Sequence, residues 1–229
     1  MKKIISYIMF VMFMATTPLF ANDIYVTQSG ASLTLDVLQD GENNTIGNST
    51  TASASTGATT SLNIDQVGNS NVIKYQINGA TYTGVINLAG NSNDVDLNCD
   101  SGNSNSSCGS VNAVINFTGN SNDVDLDIGE TAAATGADVD IVGNSGSDSN
   151  VVAATIDGTS AILTITVNGD TNNYLIDIDG NGDVNGHTLI HTHTGGIADV
   201  DIVQSGVNDN IITLTTSGDN ANIDIIQRD

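Results

Sequence analysis

Positive charge is nearly missing from this chain. Its 229 residues hold four Lys and Arg against 26 Asp and Glu, for a formal net charge of −22. Two of the four, Lys2 and Lys3, stand at the start, so beyond residue 21 only Lys74 and Arg228 remain. Phosphate contacts need clustered Lys and Arg, which argues against nucleic acid and anionic membrane surfaces as partners. Trp is absent and aromatics make up 4% of residues, so no aromatic platform for sugars exists. Acid–base chemistry needs a poised base, cation or unique carboxylate pair, and these acids recur as a periodic coat. An enzyme is therefore not expected. Sustained helical spacing is missing too, and β-branched residues punctuated by Gly and Asn disfavour helices. High acidity can mark disorder, but Val, Ile and Leu are frequent and regularly spaced here, unlike a disordered tail.

The one long apolar run, residues 4–14, follows Lys2-Lys3 and precedes Leu19-Phe20-Ala21, which reads as a cleavage site. The run is short for a membrane span, and the order of parts is that of a bacterial secretory signal peptide. Residues 1–21 are expected to be removed. Residues 22–229 are then one domain, exported through the periplasm and secreted or held at the cell surface. In that compartment Cys99 and Cys108 are expected to form a disulfide, closing an insertion loop near 99–110.

What the chain has in abundance is repetition, which is sought before local structure. Steps of eleven join Gln66, Ile77, Leu88 and Cys99, with Gly68, Gly79 and Gly90 two residues after the first three. The same step joins Gln28 to Gln39, each followed at +2 by Gly30 or Gly41. The octapeptide Gly-Asn-Ser-Asn-Asp-Val-Asp-Leu occurs twice, starting at Gly90 and at Gly119. Register breaks near 47–60, 100–110, 143–153 and 181–198, in Gly-, Ser-, Asn- and Thr-rich stretches that read as surface insertions.

Apolar residues alternate within each unit, as in Leu62, Ile64 and Gln66 or Asn93, Val95 and Leu97. Period two predicts strands with one face buried. Eleven residues make one strand and one tight arc; two such units predict a rung of about 22 residues. A lone rung cannot bury its inner face, so the expected fold is all-β, a β-solenoid of about nine stacked rungs. Glycine at +2 is expected to turn the chain with φ > 0. Asparagine at +5 (Asn44, Asn71, Asn93, Asn122 and Asn172) is expected to cap the turn and bond its equivalent one rung away. The strand-end glutamines, Gln204 and Gln227 among them, are expected to ladder likewise, because an unpaired buried amide is costly.

The pattern Gln-x-Gly-x-x-Asn at eleven-residue spacing resembles the curlin repeat of bacterial curli fibres. It reads Gln66-Val-Gly68-Asn-Ser-Asn71 and Gln39-Asp-Gly41-Glu-Asn-Asn44, and with one extra residue Gln204-Ser-Gly206-Val-Asn-Asp-Asn210. The rhythm covers most of 22–229 and the full motif only patches, since Ile77, Leu88, Phe117, Ile128, Val167 and Ile178 stand at Gln positions. The resemblance implies export through an outer-membrane secretion channel, a nucleator, and self-association into extracellular amyloid fibres of a biofilm matrix. The alternative is an acidic surface solenoid that does not polymerise and acts as a cation-dependent adhesin or binding module.

In Asp94-Val95-Asp96-Leu97 the alternation places Val and Leu inside and both Asp outside. Such rows read as a solvated face, with a Ca²⁺-collecting carboxylate ladder as the competing reading. Asp177, Asp179 and Asp183 match the opening of a calcium loop, but its twelfth position is Thr188 and no helices are expected beside it, so an acidic turn is favoured. His187, His191 and His193 fall in an irregular stretch and are expected to be exposed. No cofactor is expected. Three Thr-x-Thr pairs, at 164/166, 192/194 and 213/215, resemble those of ice-binding solenoids but are too few for a flat array.

Overall fold

The computed structural model describes residues 23–41, 43–47, 52–99, 108–129, 136–144, 149–179, 186–206 and 210–228. The expected leader, most of the loop between the cysteines, and Asp183 lie outside them. In chain order the strands are β1 (Asp23–Ile24), β2 (Thr27–Ser29), β3 (Ser32–Asp40), β4 (Thr45–Ile46), β5 (Ser53–Val67), β6 (Ser70–Ala89), β7 (Ser92–Cys99) and β8 (Ser110–Thr118). They continue as β9 (Ser121–Ile128), β10 (Gly136–Gly143), β11 (Ser149–Asp157), β12 (Ala161–Asn168), β13 (Thr171–Asp179), β14 (Thr188–Thr194), β15 (Ile197–Ser205), β16 (Ile211–Ser217) and β17 (Asn220–Arg228).

Every pairing among the described residues is parallel, and each stretch pairs with the equivalent stretch one turn away; β5 and β6 each run through both faces, so β5 pairs with β6 and β6 with β7. The molecule is a β-solenoid with two faces. On one face the level made by β1 and β2 together stacks on the level made by β4 and the start of β5, followed by the start of β6, then β7, β9, β11, β13, β15 and β17. The other stacks β3, the end of β5, the end of β6, then β8, β10, β12, β14 and β16. The strands alternate strictly: β7 and β9 bury Asn93, Val95, Leu97 and Asn122, Val124, Leu126 and turn Asp94, Asp96, Asp123 and Asp125 outward. Between the faces lies one continuous core of Ile, Val and Leu, with Tyr75, Tyr82, Phe117 and Tyr174 as its largest fully buried side chains.

The first face has nine levels and the second eight, with turns of 22 to 29 residues rather than a uniform 22. Successive equivalents lie 22 residues apart at Asn71–Asn93 but 29 apart at Asn93–Asn122, because the second interval contains the Cys99–Cys108 loop. The two corners of the rung divide this labour. After strands of the second face the corner is two residues long at Gly68-Asn69, Gly90-Asn91, Gly119-Asn120, Gly169-Asp170, Gly195-Gly196 and Gly218-Asp219. The opposite corner takes up most of the variable length.

Three of the expected insertions contain strand instead. Most of 47–60 belongs to β5, which buries Ser53, Ser55 and Thr60, with the Ser55 and Thr60 hydroxyls 2.8 Å apart. Likewise 181–198 contains β14, and β11 begins inside 143–153. Within 47–60 the buried positions of β5 are hydroxyls rather than aliphatic side chains, with Ser55 and Thr60 satisfying each other, and in β14 two of the inward positions are His191 and His193, so polarity hid these two strands.

Candidate assembly interface

The tight corner carries a continuous amide ladder. Asn44 donates through Nδ2 to Asn71 Oδ1 (3.3 Å), Asn71 to Asn93 (2.7 Å), Asn93 to Asn122 (2.5 Å), Asn122 to Asn150 (2.6 Å) and Asn150 to Asn172 (2.5 Å). All six residues are buried. Nearly every amide has a backbone acceptor as well: Asn71 reaches Ala89 O, Asn93 reaches Thr118 O and Asn122 reaches Gly119 O. One donor per rung points the same way along the stack, so the amide dipoles add and each bond polarises the next. Asn150 escaped the eleven-residue count, although Ser149-Asn150-Val-Val repeats the Ser-Asn-x-Val of 92–95 and 121–124.

The ladder dictates glycine beside it. A Cβ on Gly90 would meet Gly68 O and Asn71 Nδ2, and one on Gly119 would meet Gly90 O. Gly41 has φ 143°, but Gly68 and Gly90 do not adopt positive φ, so the expectation of φ > 0 throughout the series is corrected. Close approach of one rung to the next is the requirement there.

Among the described residues, glutamine ladders form towards the two ends. Gln66 Nε2 donates to Gln39 Oε1 (2.6 Å), and Gln227 Nε2 to Gln204 Oε1 (3.4 Å) and Asn210 O (2.7 Å). Between them the equivalent positions carry Leu88 and Phe117 on one face and Cys99, Ile128, Ile156 and Ile178 on the other. Gln28 instead donates to Ser32 O, within its own corner beside Gly30. Gly206 lies against the Asn210 amide at the corresponding corner of the last full turn.

Both ends are open. β17 pairs only with β15 and is exposed along its whole length, with Ile223 and Ile225 both 42% accessible. β16 at this end, and β1, β2 and β3 at the other, likewise have a neighbour on one side only.

The outward acids stack in register, Asp94 on Asp123 and Asp96 on Asp125. Lys74 lies over them, 3.3 Å from Asp96 and 3.9 Å from Asp94. Partial burial raises the Asp94 carboxyl above the usual range, Lys74 opposes the rise, and Asp123 and Asp96 add to it. Asp125 is raised by burial and then by Asp96 and Asp123. Asp177 and Asp179 lie on β13, where Asp179 accepts from Ser205 Oγ at 2.8 Å. Burial and Asp179 raise Asp177. Residues 180–185, including Asp183, are not described, and no group of three metal-ligating side chains occurs among the described residues.

The histidines are not exposed: His187, His191 and His193 are all buried. β14 turns His191 and His193 inward, against Tyr174 of β13, whose ring stands edge-on to His191 with centroids 4.2 Å apart. His193 ends the Asn ladder, its Nδ1 lying 3.1 Å from Asn172 Nδ2 and 3.2 Å from the Tyr174 hydroxyl. An amide donor requires Nδ1 to accept, so the ring is neutral with its proton on Nε2. Burial, then His193, pushes His191 down to about 4; burial also lowers His193. Cys99 and Cys108 are bonded, with Cα atoms 5.8 Å apart, closing the loose corner at that level.

No protein-family model, curated protein or solved structure matches this chain.

Proposed function

We propose that this chain is a secreted structural protein, a curlin-like solenoid that polymerises, or seeds polymerisation, into extracellular fibres of a biofilm matrix. The observation that carries this reading is the pair of open ends on a parallel stack whose inner strands pair on both sides. An uncovered strand edge offers a row of N–H and C=O groups that another chain can pair with. Here β17 adds exposed isoleucines and a glutamine already in ladder register with Gln204. The leader-like start supports export to the cell surface, and the curlin resemblance supports an outer-membrane channel and a nucleator as partners. The role is mechanical and non-catalytic. Purified chain spanning 22–229 is expected to give thioflavin-positive fibres with a ~4.7 Å meridional reflection. A chain that stays monomeric for days overturns the reading.

The stacked carboxylates Asp94–Asp123 and Asp96–Asp125 favour a second reading, an acidic surface solenoid that binds Ca²⁺ and adheres. Calorimetric titration with Ca²⁺ tests it; a flat trace removes it.

A further inference from the structure

The two ends are related in a way that says how a second copy docks. Nine strand levels occupy the first face and eight the second, so the stack both begins and ends on the first face. A second copy added in the same orientation would place its β1 and β2 on β17. Its β3 would then miss β16 by one level, leaving a gap of roughly 9–10 Å lined by unpaired backbone groups. A half-turn about the solenoid axis removes the gap. The incoming β1 and β2 then continue the second face above β16, and the incoming β3 continues the first face above β17.

The residues match this arrangement. We propose that successive copies join head to tail with a half-turn, residues 23–40 of one copy lying in parallel register on residues 211–228 of the next. This rests on the fibre reading above and names the partner as a second copy of the chain. Seven residues, 23–29, meet the seven of β16, the corner Gly30-Ala31 meets Gly218-Asp219, and the nine of β3 meet the nine of β17. Inward, Ile24 and Val26 fall on Ile212 and Leu214, Leu35 on Ile223, and Val37 on Ile225. Gln39, the outer member of one glutamine ladder, falls on Gln227, the outer member of the other.

Outward, Leu38 (74% accessible) lies beside Ile226 (39% accessible), so each covers apolar surface the other leaves wet. Asp40 lies beside Arg228, one of only two basic residues after the leader. One pair is unfavourable, Asp36 beside Asp224; Asp36 keeps its bond from Asn63 Nδ2 at 3.0 Å. Docking without the half-turn would give Arg228 only Ser29 as its neighbour, and Ile226 only Thr27.

Directed cross-linking reads the register. Leu38 and Ile226 of one copy lie at opposite ends of the stack, roughly 35–40 Å apart at ~4.8 Å per level, so a bond between them must join two copies. With the Cys99–Cys108 disulfide in place, fibres of Leu38→Cys/Ile226→Cys chain are expected to oxidise into a ladder of covalent multimers. Thr27→Cys/Ile226→Cys fibres are expected to stay uncross-linked. Asp40→Arg is expected to slow elongation about tenfold, and adding Arg228→Asp to restore it. Cross-linking through 27 and 226 would overturn the half-turn while leaving head-to-tail assembly standing. Fibres that cross-link through neither pair would overturn the docking and leave the fibre reading intact. Absence of any assembly by the unsubstituted chain would overturn both.

Discussion

The tight and loose corners of the rung obey different rules. At the tight corner two residues suffice at most levels, an Asn ladder runs behind the turn, and glycines lie against one another's carbonyls. At the loose corner the chain spends anything from a continuous strand bend, as in β6, to the stretch between Cys99 and Cys108, and among the described residues no ladder of one residue type runs there. The difference teaches where the repeat is enforced. Buried amides must find partners one rung away, so residue type and position are locked at one edge. A loop that points into water has no such partner to satisfy, and the extra cost of lengthening it grows slowly.

Removing a rung of the ladder is the strongest way to break that contrast. Asn122→Ala leaves the Asn93 amide and the Asn150 carbonyl oxygen without their mutual link. A loss of about 3–4 kcal/mol in denaturant unfolding is expected, from two orphaned buried groups at ~1–3 kcal/mol each. A loss below 1 kcal/mol would mean that water replaces the link.

Acid attacks the core beside the end of the ladder, where His191 packs against Tyr174. His191 titrates near 6.5 when unfolded and about 4 when folded, so the unfolded chain binds the proton first. Stability is therefore full above pH 6.5 and falls as pH drops towards 4, by about 3 kcal/mol in all. Asp94 and Asp125, whose carboxyls are raised, pull the opposite way, gaining stability as pH falls through the carboxylate range. Between pH 6.5 and 5 the histidine sign should dominate. Thermal unfolding followed across that window checks it, and His191→Phe should flatten the profile.

The loose corner has its own clamp. Replacing Cys99 and Cys108 together by Ser opens a loop of sequence separation 9. About 2–3 kcal/mol should be lost, by the loop-entropy account, with the fold retained. The finest test pairs two glycines. Gly90→Ala should cost about 1–3 kcal/mol by overpacking against Gly68 O. Gly136→Ala, where the nearest atom to a Cβ is Ser160 O at 3.9 Å, should stay within ~0.5 kcal/mol. Equal costs would dissolve the distinction between the corners.

Much of this was legible in the residue string. Alternation in 92–97 and 121–126 predicts which side chains point inward, and the structure buries Val95, Leu97, Val124 and Leu126 and not the acids between them. Five of the six ladder asparagines follow from their offset to glycine; the sixth, Asn150, was missed because no glycine stands three residues before it. What was not legible is local polarity put to internal use. Ser53, Ser55 and Thr60 read as loop and form buried strand; His191 and His193 read as surface and sit in the core. In each case the deciding partner, Thr60 for Ser55 or Tyr174 and Asn172 for His193, comes from another strand of the stack.

The sequence alone determined that the chain repeats, that its strands have an apolar and an acidic side, and that a single rung cannot stand without a neighbour. Those follow from period two and from the need to bury one face. Only the tertiary structure decided how long each turn is, which polar groups are interior, and that the stack closes on an odd number of levels. These depend on what lies one rung above or below, and that contact is between residues 22 to 29 positions apart, with loops of unequal length between them.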